Sequence, residues 1–196
     1  MRRALLAIAL LPLLACGEKN KDGSPSVYEM SRNPVSVRGW IVDVKGAQRA
    51  ETMELEIGRR TELFASSSVW VENTQYASGG IGENGAFIVL DVPPNNSILG
   101  FNAPGAEDAR VVLENIPGGA DVFIPDLLLE PGGATVLDPK LIQVRLPANV
   151  DAARDKGQLA KVAGYPVRVI ETPLSQMADR REYPSPPGFR PVATIK

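Results

Sequence analysis

Residues 78 to 87 read Ser-Gly-Gly-Ile-Gly-Glu-Asn-Gly-Ala-Phe, and Gly80, Gly82 and Gly85 stand in the G-x-G-x-x-G spacing of a dinucleotide-binding loop. In that role the glycines let the backbone approach a pyrophosphate, and a helix leaving the turn aims its first amides at the anion. The chemistry therefore requires a helix after Gly85. The chain instead continues as Ala86-Phe87-Ile88-Val89-Leu90-Asp91-Val92, β-branched and aromatic, stopped by Pro93-Pro94. That run is too short for a crossover helix and has the composition of a strand. The spacing predicts a hairpin, turned at Glu83-Asn84-Gly85, with Asn84 and Gly85 supplying the positive φ angles of a type I′ connection.

Other chemistries are narrowed by what the chain lacks. It has no histidine and a single cysteine, Cys16. Imidazole-dependent triads, Cys-His pairs and most zinc sites are excluded, and no disulfide forms within one chain. No EF-hand spacing of Asp and Asn appears, and no metal or cofactor is expected. Ser66-Ser67-Ser68 has neither elbow glycines nor a base to activate it. A glycosidase needs two carboxylates about 5 to 9 Å apart across a cleft, which sequence spacing alone does not select. Glu51, Glu54 and Glu56, followed by Arg59-Arg60, read as a solvated strand face that blunts an edge. The residues best suited to a ligand are Trp40, Trp70 and Tyr76, whose rings would stack on the C–H faces of a sugar if they are exposed. In Val69-Trp70-Val71, alternation sets Trp70 opposite the two valines; the competing expectation is that both tryptophans cover the core.

The beginning of the chain carries a different chemistry. Arg2-Arg3 precede an apolar run from Ala4 to Ala15, and Cys16 comes next. As a helix that run is about 18 Å long, short of the ~30 Å hydrocarbon layer, which makes residues 1–15 a signal peptide rather than a span. Leu13-Leu14-Ala15-Cys16 resembles the lipobox of bacterial lipoproteins, with Leu14 where alanine or serine is usual. The resemblance implies diacylglycerol on the cysteine sulfur, cleavage before Cys16, and a mature protein held on a membrane by palmitate-type acyl chains. With Gly17 next, it further implies, in a Gram-negative cell, forwarding to the outer membrane. Residues 16–33, polar and without a period, read as a flexible tether. Loss of Arg2 and Arg3 leaves 19 basic against 23 acidic residues, a charge of −4. That balance argues against nucleic acid as a partner.

The elements that must position any site are short strands. Val35 to Val44 alternates, with Gly39 marking a bulge. Thr52 to Ile57 alternates too. Leu63 to Glu72, Phe87 to Val92, Ile98 to Phe101, Arg110 to Leu113, Val122 to Ile124, Leu127 to Leu129 and Lys140 to Leu146 are further strand signals between proline and glycine punctuation. This predicts an all-β fold, an antiparallel sandwich of prealbumin-like or immunoglobulin-like type over residues 34–147. In residues 148–196 the pattern predicts a short helix after Asn149, one more strand at Val167 to Ile170, and a proline-rich extended tail.

Val37, Gly39, Ile41 and Asp43, then Val69 and Val71, then Asn84, Gly85, Phe87, Val89, Val92 and Pro93 form a pattern that resembles the carboxypeptidase regulatory-like domains. The likeness covers less than half of the chain. It departs from the family in the long stretch 45–68 and in Asn95-Asn96 after the prolines, where asparagine must tolerate a left-handed φ. Such domains are generally non-catalytic modules of secreted and surface proteins. Together these readings imply a lipid-anchored, non-enzymatic envelope protein whose partner is an envelope protein or a glycan. Carbohydrate binding through Trp and Tyr is the alternative, and a carboxylate-only hydrolase is a third reading.

Overall fold

The computed structural model describes residues 33–45, 47, 53–74, 78–148, 159–177 and 179–184. The signal peptide, Cys16, the tether, the helix expected after Asn149 and the chain beyond Pro184 lie outside them. The described residues contain strands β1 (Val35–Val44), β2 (Ser68–Val71), β3 (Ser78–Ile81), β4 (Ala86–Val92), β5 (Asn95–Ala103), β6 (Ala106–Ile116), β7 (Asp121–Glu130), β8 (Gly133–Val136), β9 (Gln143–Pro147), β10 (Leu159–Val162) and β11 (Tyr165–Thr172). One α-helix, α1 (Met53–Ala65), joins β1 to β2.

The strands hydrogen-bond in the order β1-β4-β3-β2-β5-β6-β10-β11-β9-β7-β8, and β1 also pairs with β7. That last pairing closes ten strands into a continuous circuit, with β8 as a branch on β7. The fold is an all-β sandwich, as the alternation predicted, but it is not purely antiparallel: β1–β7 and β9–β11 are parallel pairs. Nor does the sheet stop at Pro147. The β10–β11 hairpin inserts between β6 and β9, so the strand expected at Val167 to Ile170 is one of two that complete the circuit.

β7 joins this circuit by dividing one of its edges. Asp121–Phe123 pairs with β9 and Leu127–Glu130 with β8, while the other edge runs along β1. Pro125, which has no N–H to give a ladder, and Asp126 at φ 50° mark the change of partner. β1 absorbs the resulting slip with register shifts between Gly39 and Ile41 and between Ile41 and Asp43, which is the bulge expected at Gly39. A Cβ at Gly39 would lie 2.8 Å from the Phe87 ring, so the glycine is what lets β1, β4 and β7 approach.

Inside the circuit the period-2 faces of the strands meet. Val35, Val37, Ile41, Val69, Val71, Phe87, Val89, Leu99, Phe101, Val111, Leu113, Val122, Ile124, Leu127 and Leu129 are almost fully buried in one core. Phe87 and Phe101 pack edge to face, 5.2 Å between centroids at 84°. Asn95 takes φ 70°, the left-handed conformation expected of it after the prolines, and β5 starts there rather than at Ile98.

The glycine-rich stretch is the β3–β4 hairpin, with Ile81 opposite Phe87. Its turn differs from the expected type I′. Gly85 alone is left-handed, at φ +85°; its N–H donates to Gly82 O (2.8 Å), and Asn84 Oδ1 accepts from the Ala86 N–H (3.0 Å). With the last pair at Ile81 and Phe87 the loop is too long for a two-residue turn, and a loop of that length favours an ordinary turn closed by one left-handed glycine.

Of the strand expected over Thr52 to Ile57, Met53 to Ile57 is instead the start of α1, and Glu54 is exposed on that helix rather than on a sheet edge. Ile57, which the alternation assigned to an inward face, is 60% exposed. The helix docks through its second half. Phe64 is buried against Gly85, where an added Cβ would lie 2.9 Å from its ring, and Arg60, one turn earlier, stacks 5.7 Å above that ring and donates to Val42 O (3.1 Å). Ser68 begins β2, and just before it the hydroxyls of Ser66 and Ser67 donate back to carbonyls of Glu62 and Leu63 at the end of the helix.

Replacing Phe64 by alanine is expected to cost about 3–5 kcal/mol of unfolding free energy, since it empties the joint between α1 and the 82–85 turn. Ile57→Ala, on the solvent side of the same helix, is expected to change stability by less than about 0.5 kcal/mol. Urea unfolding of the two variants distinguishes a docked helix from an appended one.

Candidate functional site

Of the three aromatic candidates, Trp40 and Trp70 lie among the described residues, on the separate strands β1 and β2. Trp40 lies on β1 opposite Ala86, is 5% exposed, and its Nε1 has no hydrogen-bond acceptor among the described residues. Its ring has no surface to offer a sugar. Tyr76 lies outside the described residues. Trp70 is on the outward face of β2, paired with Ser78 on β3 and Gly100 on β5, while Val69 and Val71 point into the core, as the alternation required.

Trp70 is half-buried because its indole lies face-on over Gly100. A Cβ at Gly100 would lie nearest Cε2, with the bonded neighbours Cζ2 and Nε1 at 2.6 and 2.7 Å. Near-equal distances on both sides of the closest atom place the point above the ring plane rather than beyond its edge. The tryptophan thus covers a backbone position that has no side chain of its own, a known way of restoring packing at a sheet glycine. Beside it Arg110, opposite Gly100 on β6, donates from Nε to Glu72 Oε1 (2.6 Å). The arginine side chain is 57% exposed, so the pair adds little stability.

Sequence reasoning passed over a more unusual cluster. On the outward face of β1, Ser36 and Arg38 are both buried, and both reach Asp121 at the start of β7. Ser36 Oγ donates to Oδ1 (3.0 Å) and Arg38 Nη2 to Oδ2, with the two charged side chains only 7% and 2% exposed. Residues 179 and 180 also reach this cluster. Arg38 Nη1 donates to the carbonyl of Asp179 (3.2 Å), and Arg180 donates to the carbonyls of Pro34 (3.3 Å) and Gly119. Tyr183 rests over Gly80, its hydroxyl occupying the place a Cβ would take. Residues 179–181 and the first three residues of the proline-rich tail, 182–184, thus lie against the body. No sequence signal marks this arrangement: in Val35-Ser36-Val37-Arg38 the polar positions alternate as they do on any solvated strand.

Among the described residues no group of three or more Asp, Glu, His or Cys could hold a metal ion, and no helix is long and apolar enough to cross a membrane. No protein-family model and no curated protein matches the chain.

Removing one member of the buried pair leaves the other charge without compensation. Asp121→Ala is expected to cost about 3–5 kcal/mol, and the double variant Arg38→Met, Asp121→Ala to recover a substantial part of that loss. A double-mutant cycle from urea unfolding tests this; equal stability of the single and double variants contradicts it.

Proposed function

We propose that this protein is a lipid-anchored, non-enzymatic lipoprotein of the cell envelope that serves as a binding or assembly module. The observation that carries the reading is Cys16. The only cysteine of the chain directly succeeds an apolar run too short to span a bilayer, at the position where the lipobox resemblance requires the acyl acceptor. A sandwich body on a polar tether suits such a role. So does its resemblance to carboxypeptidase regulatory-like domains, whose shared residues are turn and core positions rather than chemical groups. The absence of histidine from the whole sequence removes imidazole-based catalysis from the competing readings.

The carbohydrate-binding alternative is less well supported than the sequence suggested. It draws on three rings, of which Trp40 is buried and Trp70 is engaged over Gly100.

Mass spectrometry of the protein from its native membrane is expected to find the chain beginning at Cys16 with diacylglycerol on its sulfur, and Cys16→Ser is expected to release the protein from membranes. An unmodified amino-terminal methionine on soluble material contradicts the reading. A pull-down of the native lipoprotein from detergent-solubilised envelope then separates assembly, which yields a reproducible protein partner, from carbohydrate binding, which yields a retained glycan.

A further inference from the structure

We propose that the pole of the sandwich at which the chain enters β1 rests on the lipid surface, through an apolar patch on β10, β11 and the turn after them. The partner is a phospholipid bilayer, met at its acyl boundary rather than through headgroup charge. The inference rests on the lipid-anchored reading above and says which side of the body the anchor brings to the membrane.

Leu159 on β10, Ile170 on β11 and Leu174 just beyond it are each more than half exposed. The neighbouring Ala160, Val162 and Val167 are buried in the core, so alternation puts Leu159 and Ile170 on the outward face. Leu159 is paired with Arg168, two residues before Ile170 on that face, which makes the two apolar side chains diagonal neighbours. The registers also fix at which end of the body they stand. Ser36 faces Asp121, Asp121 faces Arg145 and Arg145 faces Ile170, a single row across β1, β7, β9 and β11. Thr172 faces Pro147, and β9 runs antiparallel to β7, so β11 ends level with the residues just before Asp121. There the Asn33 carbonyl accepts from Gly119 N–H (3.0 Å). Leu174 follows directly beyond that end of β11, in a short 3-10 turn.

This is the end that an anchor at Cys16 holds near the bilayer. Asn33 comes 17 positions after Cys16. The pole therefore stands at most about 60 Å from the lipidated sulfur, and a link of this length keeps the body at an effective concentration on the order of millimolar. At such a concentration a contact too weak to hold a free protein is occupied. A few aliphatic side chains supply a contact of that kind, since each gains by leaving water for the acyl boundary. Arg168 stands between them, and its aliphatic stem lies along apolar surface at no cost while the guanidinium keeps to the water side. Charge is not the attraction. Glu171 is exposed beside Ile170, and the chain that begins at Cys16 carries a net charge of −4. An anionic surface is drawn to clustered basic residues, which this balance does not favour. The contact is thus expected on zwitterionic lipid and indifferent to salt.

The test uses the full lipidated chain in phosphatidylcholine vesicles that contain a nitroxide-labelled phosphatidylcholine. With Cys16 acylated, an introduced cysteine is the one thiol open to a fluorescent label. A label at Leu174→Cys is expected to be quenched at least about threefold more than one at Ile57→Cys, which is equally exposed but on α1 at the opposite pole. Adding Leu159→Ser and Ile170→Ser to the chain labelled at 174 is expected to bring its quenching down to that at 57, and raising the salt to leave it unchanged. Should the chain with both serines fail to fold by circular dichroism, Ile170→Ser alone is read in the same way. Equal quenching at 174 and 57, quenching that the serines leave in place, or quenching that salt abolishes each overturns the proposal. A Cys16 without lipid sinks the anchored reading and this one together, whereas a lipidated chain with equal quenching at the two positions sinks this one alone.

Discussion

The pairing of β1 with β7 is the contact on which the rest of the structure depends. It brings Ser36 beside Asp121 and Val44 beside Leu129, segments some 85 residues apart, and runs them parallel. Without it β1 and β7 would each present an open edge to solvent, the feature that invites pairing with another chain. With it the strands form a circuit, and among the described residues β8 alone has a single strand neighbour. The interior faces of β1, β4 and β7 then meet at Gly39, and the ring of Phe87 fills the space that a side chain there would take. Closure at such sequence separation is entropically expensive before any reward arrives, so this pairing should form late and limit the folding rate.

The same pairing generates a buried polar cluster on the outward face of β1. Parallel register sets Ser36 opposite Asp121, and β-alternation then places Arg38 within reach of the same carboxylate. The charged pair lies at the end of the sheet where the chain enters β1, and the terminal segment covers it by binding Pro34 and Gly119 at that end. Asn33 is tied there as well, since its carbonyl accepts from Gly119 N–H (3.0 Å). Entry and exit of the described chain are thus fastened to one pole, while α1 and the 82–85 turn occupy the opposite one.

How much of this the sequence disclosed depends on how local each cause is. Val69 and Val71 inward with Trp70 outward, the reversal at Gly85, the left-handed Asn95 and the bulge at Gly39 were legible because the signal and the structure it specifies lie within a few residues of each other. α1 was not. Thr52 to Ile57 carries a period of two, while the residues that decide for a helix are Arg60 and Phe64, and their reason is a glycine turn some twenty residues further on. The parallel pairs were hidden for the same reason, since alternation states which face a residue takes and not which strand lies beside it. Arg38 was the least legible of all. Its position looks solvated until Asp121 and Asp179, both more than eighty residues away, are brought to it.

The glycines of the G-x-G-x-x-G pattern show why a spacing has no chemistry until its surroundings are known. In a nucleotide loop the three would serve one anion together. Here they serve separate neighbours. Gly80 leaves room for the hydroxyl of Tyr183, Gly82 opens the turn by bonding across to Ala86, and Gly85 takes a left-handed φ beneath the ring of Phe64. Gly80 and Gly85 face partners far apart in the sequence, the 179–184 segment and α1. The short hairpin is therefore where both of those elements find backbone close enough to dock. A side chain at Gly80 would displace the terminal segment and one at Gly85 would displace the helix, so the pattern is held by two independent packing constraints, neither of which involves a phosphate.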